Sequence, residues 1–172
     1  MKLTNEDFVF LQNELIKTPI MGEEELKSIK SSNPQIYYTT KNMKDDFVTL
    51  RTEKSYVYQL SNETLNKFIC EKFDEPIENL SIIHRLLYVT GGFAKKHKDR
   101  FTTYKTGIMI IKDTFTGGDL YINDMRVELN ASGDYVSFNG AKEEHEVKEI
   151  TSGYRDILHI RFSKKQSKRN II

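Results

Sequence analysis

Turn dipeptides punctuate the second half of this chain at short intervals, and that spacing constrains its fold more than any other feature. Gly91-Gly92, Gly117-Gly118, Asn123-Asp124, Ser132-Gly133, Asn139-Gly140 and Ser152-Gly153 supply residues that tolerate the bent or left-handed backbone a reversal needs. Between and around them lie stretches rich in Val, Ile, Tyr, Phe and Thr, at 80–90, 92–98, 104–112, 118–122, 125–129, 134–138, 145–150 and 154–162. These read as short strands. About eight of them at this spacing argue for a closed sandwich or jelly roll, which removes the exposed edges an open sheet would leave.

Residues 1–79 have a different texture. Thr4 and Asp7 resemble a capping box ahead of Phe8, Leu11, Leu15 and Ile16, which recur at helical spacing. A second short helix is expected from Gly22 to about Ser31, and strands at 36–40 and 46–60. Asn62 caps a helix carrying Leu65, Phe68, Ile69 and Phe73 that ends before Pro76. The expectation is a mainly β fold with flanking helices, the early helices packed along one sheet. No linker interrupts the 172 residues, so a single domain is expected. Within it, 1–79 form helical and strand support, 80–163 the jelly-roll core and 164–172 a basic tail.

Composition narrows the setting. The longest apolar runs, such as Ile108 to Ile111, are too short to span a bilayer, and no membrane association is expected. Met1 to Phe10 carries acidic residues where a signal peptide has its apolar stretch. The single cysteine, Cys70, excludes an intramolecular disulfide and any cysteine-cluster metal site, and fits a reducing, cytoplasmic compartment. Net charge is only +1, which gives no global attraction to nucleic acid. Locally, Lys95, Lys96, Lys98, Arg100 and Lys105 crowd one segment, and Lys164, Lys165, Lys168 and Arg169 the tail. They read either as solvated surface or as a rim that steers an acidic substrate.

That basic segment contains His97 and Asp99, two residues apart, so that in an extended strand both side chains point to the same side. His145 opens a late strand and completes a set of two imidazoles and one carboxylate. Such a set occupies one face of Fe(II) and leaves the opposite positions open, the ligand pattern of a mononuclear non-haem oxygenase. Arg155 follows ten residues after His145, beyond the Ser152-Gly153 turn. A hairpin of that length is expected to set the strand of Arg155 beside that of His145. A guanidinium there can grip a distal carboxylate in bidentate fashion while the near end of the same molecule chelates the metal.

The stretches YVTGGFAKKHKD, TGIMIIKDTFTGGDLYI and ASGDYVSFNGAKEEHEVKEITSGYR together resemble the catalytic region of the 2-oxoglutarate/Fe(II) dioxygenases, in the prolyl and lysyl hydroxylase branch. The matching places are Tyr88, Gly91, Gly92, Gly117, Gly118, Gly133, Phe138, His145, Val147 and Arg155, with Leu50 to Thr52 extending the likeness upstream. The resemblance implies a double-stranded β-helix, a cupin-like jelly roll. It implies Fe(II) on His97, Asp99 and His145, and 2-oxoglutarate with its far carboxylate on Arg155. It implies O2 as oxidant, with ascorbate a candidate reductant. Tyr88 and Thr106 match positions lining the cosubstrate pocket, whereas Ile110 stands where many relatives carry a pocket tyrosine. His159 and Arg161 share the alternation of Arg155 and should also enter the barrel, and His84 shares the face of Tyr88.

The implied activity couples oxidative decarboxylation of 2-oxoglutarate to succinate with hydroxylation, the substrate being a protein or peptide proline or lysine. The alternative is a nucleic-acid oxygenase, suggested by the basic residues and by the spacing of Arg155 and Arg161. A third reading, from another class, is a catalytically inactive jelly-roll binding module.

Overall fold

Leu80–His97 forms one strand of 18 residues where the sequence predicts two. Gly91-Gly92 bends this strand rather than ending it. Gly91 sits at φ 84, and Val89–Gly92 bulge out between the pairs Ser55↔Tyr88 and Glu53↔Phe93. A glycine pair in a β-rich sequence signals a turn and a bulge equally well, so its local chemistry does not distinguish them.

The structure is a computed structural model that describes residues 1–16, 37–38, 52–60 and 62–164. The helix expected at 22–31, the segment at 46–51 and the tail beyond Lys164 lie outside the described residues. The elements are α1 (Asn5–Ile16), β1 (Tyr37–Tyr38), β2 (Thr52–Leu60), α2 (Glu63–Lys72), β3 (Leu80–His97), β4 (Thr103–Lys112), β5 (Phe115–Gly117), β6 (Leu120–Ile122), β7 (Met125–Arg126), β8 (Tyr135–Phe138), β9 (His145–Val147), β10 (Ile150–Gly153) and β11 (Arg155–Ser163).

Because β3 bends, its two halves join different ladders. Leu80 to Tyr88 pair with β11, which continues to β4 and β8. Ala94 and His97 pair with β9, which continues to β6 and β7. β2 runs antiparallel along the other edge of β3. Two antiparallel ladders wound from one bent strand, with the chain alternating between them, make a double-stranded β-helix.

Strand alternation sorts the core into two layers. Leu158, Ile160 and Phe162 of β11 face outward and pack with Leu11, Leu15, Leu65, Phe68 and Ile69 of the helices. Ile157, with Leu86, Tyr88, Ile108 and Ile110, faces the barrel interior. Each large side chain buried this way contributes about 1.5–3 kcal/mol, and that burial holds the helices on one sheet as expected. The helix ends are closed locally. Thr4 Oγ1 accepts from Asp7 N at 3.1 Å, and Asn62 Oδ1 accepts from Thr64 N at 2.9 Å and Leu65 N at 3.2 Å.

Strand boundaries also differ from expectation: 118–122 and 125–129 shorten to Leu120–Ile122 and Met125–Arg126. The stretch at 145–150 divides into β9 and the start of β10, and β10 pairs with β5, a short strand the sequence does not announce. Consequently β11 does not lie beside β9 as a hairpin would require. Instead β10 carries the chain from one ladder to the other, and β9 and β11 both pair with β3 at different levels.

Candidate metal centre and cosubstrate pocket

His97 is the last residue of β3 and His145 the first of β9, and the two are directly paired across the ladder. Their ring centroids lie 4.3 Å apart. Asp99 falls just past the strand end, where its N–H donates to the Gly140 carbonyl at 2.8 Å. Its Oδ1 lies 3.7 Å from His97 Nε2 and 3.5 Å from His145 Nε2. One ligand atom from each residue fits within a sphere of mutual distances of 4.8 Å, the one such group among the described residues.

The surroundings orient these donors. His145 Nδ1 is 2.9 Å from the Glu143 carbonyl, so a proton on Nδ1 leaves the Nε2 lone pair facing Asp99. His97 Nδ1 meets the Lys95 carbonyl in the same manner. The Thr106 hydroxyl donates to Asp99 Oδ2, the oxygen turned away from the imidazoles. Burial by itself pushes the Asp99 carboxyl up. In the metal-free chain a proton on His145 Nε2 can instead donate to the carboxylate, and that contact together with the Thr106 hydroxyl outweighs burial and holds the group below the usual carboxylate range. Two imidazole nitrogens and an ionised carboxylate on one side of a shared space suit Fe(II).

Arg155, the first residue of β11, is paired with Tyr88 of β3 and is fully buried. Its guanidinium sits 5.5 Å from the Tyr88 ring centroid. None of its three nitrogens has a hydrogen-bond partner among the described residues. Burial lowers the arginine pKa and raises that of the Tyr88 phenol to about 12, yet arginine keeps its charge in any protein interior. The Asp119 carboxylate acts on it electrostatically but gives it no hydrogen bond, and a buried cation with no hydrogen-bonded anion is expensive. The arrangement therefore suits an incoming carboxylate. Glycine at 118 makes room here, since a Cβ would come within 3.1 Å of Arg155 Cδ.

The three ligands and Tyr88 line one cavity, whose other walls include Leu86, Ile108, Leu120, Val147 and Ile157. Ile110 is fully buried opposite Ile157 and offers no hydroxyl. His159 and Arg161 also line the cavity, in keeping with their shared alternation with Arg155. His159 stacks at 6.1 Å on His84, its cross-strand partner, which is wholly buried. Burial holds the His159 imidazole well below the usual histidine range, so it is neutral. Thr106, expected to line the cosubstrate pocket, is seen to hold Asp99.

The basic rim is smaller than the sequence suggests. Lys96 pairs with Asp124. Lys105 faces the helices, 2.8 Å from a Glu75 oxygen and 3.0 Å from the Phe73 carbonyl. Sequence reasoning also missed Gly140 and Glu143, whose main chains hold two of the ligands. The only signal for them is the Asn139-Gly140 turn ahead of His145.

No family model and no curated protein matches this sequence. Solved structures do match it in fold. A prolyl-4-hydroxylase from Pseudomonas putida is 16% identical over 83% of this chain and 84% of that one, with a TM-score of 0.53. An oxidoreductase of the 2OG-Fe(II) oxygenase family from Burkholderia pseudomallei is 12% identical over 81% of this chain and 78% of that one, with a TM-score of 0.50. A prolyl hydroxylase from Trichoplax adhaerens, in complex with a hypoxia inducible factor oxygen degradation domain peptide fragment, is 12% identical over 81% and 75%, with a TM-score of 0.50. The architecture built on β3 is thus that of the prolyl hydroxylases and 2OG-Fe(II) oxygenases.

Proposed function

We propose that this protein is a 2-oxoglutarate- and Fe(II)-dependent hydroxylase acting on a peptide, with a prolyl or lysyl residue as target. The observation that carries the reading is the pairing of two unmet demands in one barrel. A three-donor set, His97, Asp99 and His145, is arranged around a common point. Behind the Tyr88 ring that lines the same cavity lies a fully buried guanidinium with no hydrogen-bond partner among the described residues. A molecule with a metal-chelating keto acid at one end and a carboxylate at the other meets both. The peptide is supported by the Trichoplax adhaerens enzyme, which is similar in fold and was solved with a peptide.

His97 Nε2, Asp99 Oδ1 and His145 Nε2 would hold the iron. Bound there, Fe(II) supplies the dioxygen chemistry that couples 2-oxoglutarate decarboxylation to hydroxylation. The protein's own contribution is placement. Arg155 would hold the distal carboxylate, for which its guanidinium offers paired N–H donors, and the Tyr88 ring 5.5 Å away limits how the guanidinium can tilt. Thr106 keeps Asp99 Oδ2 occupied, so Oδ1 is the oxygen presented to the metal. The apolar walls exclude water from the reacting atoms.

The test is succinate release with Fe(II) and 2-oxoglutarate, screened against peptide pools containing Pro and Lys, with oligonucleotide pools in parallel. Peptide-stimulated succinate together with a hydroxylated residue in the peptide is the expected result. Stimulation by oligonucleotides alone would transfer the reading to a nucleic-acid oxygenase. No 2-oxoglutarate turnover under any condition would refute it.

A further inference from the structure

The turn from Asn139 to Glu143 joins β8 of one ladder to β9 of the other and touches two of the three ligand residues. Its Gly140 carbonyl accepts the Asp99 N–H at 2.8 Å, and its Glu143 carbonyl meets His145 Nδ1 at 2.9 Å. The turn is itself closed. Asn139 O accepts from Glu143 N at 2.8 Å, and Glu143 Oε2 accepts from Asn139 N at 2.8 Å.

Within it, Gly140 stands against the metal site. A Cβ at this position would lie 2.1 Å from Asp99 Oδ2 and 2.2 Å from Thr106 Oγ1. Backbone conformation does not require glycine here, because Gly140 is absent from the positive-φ glycines of the chain. What requires it is space. Opening a 2.1 Å approach to ordinary contact needs a shift of about 1.3 Å or more, and Oδ2 is the oxygen that Thr106 grips. Pushing Oδ2 aside rotates the carboxylate about its bond to Cβ and turns Oδ1 away from His97 and His145.

We propose that Gly140 is a positioning residue of the metal centre: its bare Cα and its carbonyl together set the rotation and depth of the Asp99 carboxylate. The proposal rests on the iron reading for its functional meaning, but its structural content can be tested separately. Interactions at this remove from a metal typically change its affinity about 10- to 100-fold. Calorimetric titration with Mn(II) in the absence of oxygen chemistry should therefore show Gly140→Ala binding about 10- to 100-fold more weakly than the wild-type chain. Far-ultraviolet circular dichroism should be unchanged.

The companion measurement uses the metal-free protein. Gly140→Ala should lower Tm in the wild-type background. It should lower Tm much less in an Asp99→Ala Thr106→Ala background, where both contacted oxygens are gone. If Gly140→Ala alone does not fold, folding of the triple variant supports the proposal and its failure to fold overturns it. A folded Gly140→Ala with wild-type Mn(II) affinity overturns it, as does an equal loss of Tm in both backgrounds. If the wild-type chain binds no Mn(II), the iron reading falls and the comparison of Tm values alone decides the role of Gly140.

Discussion

Replacing Arg155 by Met should strengthen the ligand-free fold while removing cosubstrate binding, two effects of opposite sign from one side chain. Taking an unpaired guanidinium out of water costs several kcal/mol. Its stacking over the Tyr88 ring, 5.5 Å away, returns about 0.5–2 kcal/mol. The Asp119 carboxylate eases this only electrostatically, so the charge is a net burden until a hydrogen-bonded anion arrives. Methionine fills similar length without charge, so Arg155→Met should raise the stability of the metal-free chain by on the order of 1–4 kcal/mol. In the loaded state the sign reverses. Losing one partner of a buried, charge-assisted pair costs roughly 2–5 kcal/mol, which weakens 2-oxoglutarate about 30- to 5000-fold. Urea unfolding of the free protein reads the first effect. Thermal unfolding with Mn(II) and increasing 2-oxoglutarate reads the second, since ligand at 100 times its Kd stabilises by about 2.7 kcal/mol. A variant less stable than wild type without ligand would refute the reasoning about the unpaired charge. A variant that keeps the full 2-oxoglutarate-dependent rise in Tm would place the anchor elsewhere.

Asp99→Ala and His145→Ala each remove a metal donor, and neither purified variant should form succinate; full turnover in either would dismiss the ligand assignment. His159 has a folded-state pKa depressed by burial, so the unfolded chain binds the extra proton first. Stability should then fall as pH drops below about 6.5, by about 1.4 kcal/mol per pH unit until the folded-state pKa is reached. Urea midpoints of metal-free His159→Gln between neutral and mildly acidic pH should show a flatter slope, and identical slopes would show that the imidazole is not held neutral. On the outer face of β11, Asp156 accepts from Arg85 at 3.0 and 2.7 Å in a buried, two-point ion pair. Asp156→Ala should cost about 3–5 kcal/mol by leaving Arg85 uncompensated, and a loss under 1 kcal/mol would mean that Arg85 finds water.

Much of the local structure was legible. The caps at Thr4 and Asn62 act within three residues of themselves, so their helices start where sequence places them. The alternation of β11 likewise put Arg155, His159 and Arg161 on one face. Trouble came where one signal serves two structures. Gly91-Gly92 is a bulge within β3 because β2 and β9 continue to pair beyond it, and nothing near the glycines records those partners. The expected hairpin between His145 and Arg155 failed for a related reason. Its intervening residues include β10, which is claimed by β5, more than thirty residues earlier in the chain. Lys105 looked like part of a basic rim, but the inward and outward phase of β4 sends it to Glu75.

The sequence alone determined which donors exist and in what order: an H-x-D pair, a distant histidine and an arginine ten residues on, of which His97, His145 and Arg155 are borne by strands whose facing follows from local alternation. Only the tertiary structure decided that His97 and His145 oppose each other, that Arg155 is buried with no hydrogen-bond partner among the described residues, and that Gly140 leaves the space Asp99 occupies. Secondary structure depends on neighbours a few residues away, whereas ligation, desolvation and steric fit depend on which distant strands pair across the bend in β3.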